Sequence, residues 1–298
     1  MKRSPLAGLG RRTAALASAL ALVGLAGTAA AQDAPPALDD AAFRSCLAQL
    51  QGSAAFRNID RATFAQHTQN LVPDPSVLVL LDKQPEFTLP VWDYIAVLVD
   101  NERVADGRAA YAKWQDTLRR IEQQSGVAPN IVMGVWGVES NFGQILGGRP
   151  LVQSLATLSC FGRRQSYFRG EFAATLRILQ EGHIPAEKLV GSWAGAFGQT
   201  QFMPSTFFRS AVDFDGDGRR DIVDSVPDAL ASTAKFLQNA GYRRGEPWGF
   251  EVRLPPGMDT SDASRKNKRP IDAWRSAGVT LVDGSPLPDS LPSAGLLI

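Results

Sequence analysis

Between Pro129 and Gly143 the chain reads as an apolar helix that carries a single acid, Glu139, near its end. Pro129 suits a first helical turn, where its missing N–H would have no partner anyway. Val132, Val135, Trp136 and Glu139 recur at i, i+3, i+4 and i+7, so they are expected to share a face. Asn141 and Gly143 suit a chain leaving a helix. A carboxylate among apolar neighbours loses hydration, which favours its protonated form and raises its pKa. A general acid working near neutral pH needs that property. On these residues alone, a buried acid paired with an arginine is the commoner explanation.

A second stretch, Gly191 to Ser205, reads Gly-Ser-Trp-Ala-Gly-Ala-Phe-Gly-Gln-Thr-Gln-Phe-Met-Pro-Ser. Its small residues allow a backbone to approach something closely. Its amides, hydroxyls and aromatic faces match the edges and faces of a sugar. Pro204 then opens a further helix.

The rest of the chain is patterned mainly for helices. Short ones are predicted over Asp39–Gln51 and Asp60–Asn70, and Pro73 and Pro75 interrupt the pattern. Leu89–Val99 is apolar and contains Tyr94. Val104–Gln124 is a long helix, with Ala110, Trp114, Leu118 and Ile121 on its inner side and Gly126 closing it. Leu151–Ser159, Tyr167–Glu181, Pro227–Asn239 and Asp272–Ala277 follow, and Glu251–Leu254 is the best strand candidate. This predicts a mainly α fold with a small α/β appendage.

Residues 1–31 read as a secretory signal: Lys2, Arg3, Arg11 and Arg12 at the start, an apolar centre, and Ala29-Ala30-Ala31 before Gln32. The mature chain is thus expected in the periplasm, without a membrane span. Losing four basic residues and no acids takes the formal charge from +1 to about −3, which gives no electrostatic case for nucleic acid. Residues 32–38 form a linker, 39–254 the main domain and 255–298 a C-terminal segment, where either a continuation is missing or the chain ends differently. Cys46 and Cys160 are the only cysteines, and either a bridge or two buried thiols is consistent with the sequence. With only His67 and His183, a histidine zinc site or a Ser-His-Asp centre is hard to assemble.

The run Glu139-Ser140-Asn141-Phe142-Gly143 and the run Gly191 to Ser205 together resemble the lytic murein transglycosylases, specifically the membrane-bound B type and its soluble relatives. Leu155-Ala156-Thr157-Leu158 and Gly162-Arg163-Arg164 match as well, and so does the ordered connector Lys83–Phe87. The resemblance covers roughly residues 40 to 290 and implies a lysozyme-like catalytic core in an elongated helical protein.

It also implies a one-acid reaction on peptidoglycan. Glu139 would protonate the glycosidic oxygen between N-acetylmuramic acid and N-acetylglucosamine. As the base it would then take the proton of the muramic C6 hydroxyl, which attacks C1 and leaves a 1,6-anhydro end without consuming water. Attack within one sugar has a high effective concentration, so a protein nucleophile is less needed. Glu171 and Glu181 are expected to face solvent or pair with Arg177 rather than serve as a second carboxylate.

Carried over by match, Ser192, Gln201, Phe202 and Tyr94 would line the glycan groove, and Arg163 and Arg164 would meet its carboxylates. Phe236 stands where the family often has a tyrosine. The resemblance admits partners among cell-wall synthesis proteins. A non-catalytic glycan-binding protein and a lysozyme-like hydrolase stay open as alternatives.

Asp213 to Asp224 has the spacing of an EF-hand calcium loop. Asp213, Asp215, Asp217, Asp221 and Asp224 fall at positions 1, 3, 5, 9 and 12, with Gly218 at the sharp turn and the Arg219 carbonyl at position 7. Position 12 is Asp instead of Glu, with Asp228 as a further ligand candidate. The expected role of Ca²⁺ is structural.

Overall fold

The computed structural model describes residues 37–81, 90–290 and 292–298. The signal and the Lys83–Phe87 connector lie outside the described residues.

Helices begin and end where the cap chemistry predicts. In α1 (Asp40–Gln51) the Asp39 carboxylate accepts the Ala41 N–H. After α2 (Arg61–Thr68) comes α3 (Ser76–Leu80), a short helix just past Pro75. Next is α4 (Val91–Leu98). The long helix α5 (Asn101–Ser125) starts where Asp100 accepts the Arg103 N–H and stops at Gly126, φ 73°. Then come α6 (Pro129–Ser140), α7 (Leu151–Phe161), α8 (Gln165–Gln180), α9 (Pro204–Ser210), α10 (Val226–Asn239) and α11 (Ile271–Ser276). The fold is mainly α, as expected.

Apolar faces from these helices close two cores. The first gathers α1, α2, α3, α7, α8 and α9 around Phe43, Phe56, Phe172, Leu155 and Phe207. The second joins α5, α6 and α10 through Leu118, Ile121, Val132, Trp136 and Leu230. Cys46 of α1 and Cys160 of α7 form a disulfide with their Cα atoms 5.9 Å apart, so the bridge alternative holds.

The strands are two-residue pairs. β1 (Arg149–Pro150) runs antiparallel to β2 (Val190–Gly191), with Arg149 opposite Gly191. β3 (Val252–Arg253) pairs with β5 (Thr280–Leu281), and β4 (Arg269–Pro270) with β6 (Ser293–Ala294). β3 therefore packs with the C-terminal segment, whose own cluster is Ile271, Trp274, Val279, Leu287 and Leu296. Among the described residues, no helix is long and apolar enough to cross a membrane.

One expectation is corrected. Glu181 does pair with Arg177, at 2.6 Å. Glu171, however, is only 4% exposed. Its carboxylate accepts the Ser205 N–H and hydroxyl, both at 2.8 Å, in the first turn of α9. A helix N-terminus presents unpaired N–H groups and positive potential, which explains why an acid is tolerated there.

Candidate active site

The buried stripe of α6 is Val132, Met133, Trp136, Gly137 and Ser140. Val135 is half-buried and Glu139 exposed, so the acid stands at the rim of the apolar face, one position from its centre. Desolvation still raises the Glu139 pKa. Its place in the last turn works in the same sense, because a helix C-terminus disfavours negative charge.

The helix then ends abruptly. Asn141, Phe142 and Gly143 take φ of 48°, 57° and 83°, three successive left-handed residues. Two of them carry side chains, which makes the turn strained. The Phe142 ring is wedged between α5 and α6: a Cβ on Gly107 or Gly137 would lie 2.9 or 2.7 Å from its Cζ. It also meets Trp136 edge-on at 5.5 Å.

The stretch 191–205 packs against this end. Its glycines serve the protein's own close approaches. A Cβ on Gly191 would lie 2.1 Å from the Ala196 carbonyl oxygen, and one on Gly198 2.8 Å from that of Ile222. Ser192 sits in the resulting turn, where its Oγ accepts the Ala196 N–H at 3.0 Å. Accepting that bond leaves the hydroxyl's own proton for donation. Gln201 donates to the Gly198 and Leu146 carbonyls. Phe202 is 6% exposed, part of the first core, with its ring 5.5 Å from that of Phe236.

The residue that joins the two stretches is Gln199, which the sequence reading did not single out. Trp136 Nε1 donates to its side-chain oxygen at 2.9 Å, and Ser140 Oγ donates to its backbone carbonyl at 2.8 Å. Its own N–H and side-chain amide donate to the Ile222 and Val223 carbonyls, at 2.8 and 2.9 Å. The available signal was an amide directly after Gly198 in a run without charges.

Tyr94 is exposed on α4. Arg163 and Arg164 are exposed at the α7–α8 junction. Arg163 donates to the Leu81 carbonyl, and Arg164 stacks on Tyr167 at 4.5 Å. A cavity of about 620 Å³ lies between α5 and α6, lined by Arg103, Tyr111, Asn130, Met133, Val138 and Phe142 among others. It borders the end of α6, but neither Ser192, Gln201 nor the arginine pair lines it.

In the acidic loop, carboxylate oxygens of Asp213, Asp215 and Asp217 all lie within 4.8 Å of one another. Gly218 has φ 89°, which supplies the sharp turn. Asp213 accepts the Gly216 and Gly218 N–H groups. Asp221 is buried and caps the Val223 and Asp224 N–H groups. Asp224 pairs with Lys188, and the Arg219 side chain pairs with Asp217. Asp228 is buried under the loop and holds the N–H groups of Phe214, Asp215 and Asp221. Three convergent carboxylates on a turn of this shape fit a hard cation that takes oxygen ligands.

The mainly helical fold that carries this acid and the loop braced against it matches solved lytic transglycosylases of the lysozyme-like class. SltB3 from Pseudomonas aeruginosa, solved in complex with NAG-anhNAM-pentapeptide, superposes with a TM-score of 0.78 at 43% identity, covering 86% of this chain and 69% of that one. Slt35 from Escherichia coli, solved in complex with calcium, gives 0.73 at 30% identity, covering 86% and 79%. The chain belongs to the transglycosylase SLT domain family, which it matches over residues 42–298. Membrane-bound lytic murein transglycosylase B of E. coli K12 is 35% identical over 216 residues; the match covers 69% of this chain and spans 59% of that relative's length.

Proposed function

We propose that this chain is a lytic murein transglycosylase acting on peptidoglycan glycan strands in the periplasm. The observation that carries the reading is Glu139: an acid at a helix end, its pKa raised by desolvation, beside a loop rich in amides and hydroxyls. Glu139 gives its proton to the glycosidic oxygen as the C1–O bond breaks. The resulting carboxylate then takes the C6 hydroxyl proton as that oxygen bonds to C1. Proton and electron pair return to their starting places on the enzyme, and the product carries a 1,6-anhydro ring. Supporting the one-acid reading, Glu171 is committed to Ser205 by two bonds and is not available as a nucleophile. In this reading Tyr94, Ser192, Gln201 and Phe202 contact the glycan, and Arg163 and Arg164 its carboxylates.

Mass spectrometry of products from purified murein tests the proposal. Anhydro ends are expected. Reducing ends would mean hydrolysis, and no cleavage would mean a binding protein.

The acidic loop is proposed to hold structural Ca²⁺ through Asp213, Asp215 and Asp217, with the Arg219 carbonyl, Asp221 and Asp224 completing the set. Bound there, the ion supplies charge neutralisation to clustered carboxylates, and no step of the reaction passes through it. Calcium should raise the melting temperature and chelation lower it. A melting temperature indifferent to both rejects the site.

A further inference from the structure

We infer that Gln199 is a positioning residue. It fixes the end of α6, and with it the carboxyl of Glu139, against the Ile222–Val223 edge of the acidic loop. The inference rests on the reading of Glu139 as the acid.

Gln199 is 4% exposed, and all four of its polar groups are used. Two of the bonds reach α6 at Trp136 and Ser140, three residues before and one after Glu139. The other two reach consecutive carbonyls, those of Ile222 and Val223. The acid is therefore bracketed on its own helix by residues that share one anchor. Ser140 passes the restraint on, since its Oγ also accepts the Gly143 N–H at 3.0 Å beyond the strained turn.

The strain explains why an anchor is needed. Asn141 and Phe142 hold left-handed conformations that an L residue abandons unless its surroundings fix them. A helix end free to relax would carry Glu139 with it. Proton transfer requires the acid within hydrogen-bond distance of the leaving oxygen, so a displacement of about 1 Å costs on the order of a hundredfold in rate.

The residue type also follows. The position needs an acceptor for the indole N–H and a donor for the Val223 carbonyl from one short side chain, and it must be uncharged where it is buried. Glutamine meets all three demands. The approach is tight as well: a Cβ on Gly143 would lie 2.7 Å from the Gln199 side-chain oxygen.

The test compares wild type with Gln199→Met, which keeps length and removes both side-chain bonds. Trp136→Phe is the second variant; it removes the indole N–H and spares the helix. Hydrogen exchange of residues 137–143 and steady-state kinetics on soluble glycan are measured on each. For Gln199→Met, exchange at 137–143 should quicken about tenfold or more. kcat should fall about ten- to a hundredfold with KM within about twofold, since binding surfaces are untouched. Trp136→Phe should move both readouts the same way by less. The double variant should be no worse than Gln199→Met alone, because the two act through one bond.

Wild-type kcat and exchange in Gln199→Met overturn the inference. If that variant does not fold, wild-type values in Trp136→Phe overturn it, and the paired change upholds it. Should the wild-type enzyme release no anhydro ends, the functional reading fails separately. Faster exchange at 137–143 would then still support the anchor, and unchanged exchange would remove it.

Discussion

The disulfide makes the largest single quantitative claim on the stability of this protein. Cys46 and Cys160 are 114 residues apart in sequence. Opening the bridge returns that loop's freedom to the unfolded chain. The loop-closure relation gives roughly 16 cal/mol/K for such a loop, or about 5 kcal/mol at 25 °C. Residual structure in the unfolded chain lowers the return, so about 3–5 kcal/mol is expected.

Replacing both cysteines by alanine, or reducing the native protein, should therefore lower the melting temperature by roughly 6–10 °C, at about 2 °C per kcal/mol for a chain of this length. In urea titrations the slope should also rise, because the uncrosslinked denatured chain exposes more surface. Thiol titration of the native protein before and after reduction fixes the starting point. A difference below about 1 kcal/mol with an unchanged slope would falsify the entropic account. Two reactive thiols in the untreated, denatured protein would remove the bridge itself.

Three further outcomes are expected. Glu139→Gln should abolish cleavage and keep glycan binding, and it should gain stability only towards higher pH. The folded pKa is raised, so wild-type stability is full below the unfolded value, about 4.3, and falls as pH rises through the folded one, a loss the amide escapes. Melting curves that coincide across that range would contradict the sign. Glu171→Ala should cost about 2–4 kcal/mol and Glu171→Gln about 1, because the amide retains an acceptor for the Ser205 N–H; equal costs in denaturant titration would show that the carboxylate is not holding α9. Ser192→Ala should lose about 1 kcal/mol of stability with the Ala196 bond, and ten- to a hundredfold in turnover if its proton also orients the substrate; normal turnover per folded molecule would leave it a turn residue alone.

Helix positions were readable because periodicity and caps are local. α10 begins at Val226 and α7 extends to Phe161, each within two residues of the expected bound. What sequence could not show was which way a polar residue turns. The i, i+3, i+4, i+7 pattern put Glu139 on the apolar face, yet neighbours from α5 and α10 centre the buried stripe on Trp136 and Ser140. Glu171 looks like any acid on an amphipathic helix until α9 presents its N–H groups from 34 residues away. The glycines of 191–205 suggested room for a ligand, and much of that room is filled by Ala196, Leu155 and Ile222. Gln199 was invisible for the same reason: all its partners are distant in sequence or reached through the turn.

The two cores are woven from alternating lengths of chain. α1 to α3 belong to the first core, α5 and α6 to the second, α7 to α9 to the first again, and α10 to the second. No continuous segment contains a whole core. During synthesis, α5 and α6 therefore expose Leu118, Val132 and Trp136 until α10 arrives to cover them. Closing contacts span long stretches of chain, which slows folding. A truncation between Val223 and Asn239 therefore keeps every helix of the first core and opens the second, which α10 alone completes.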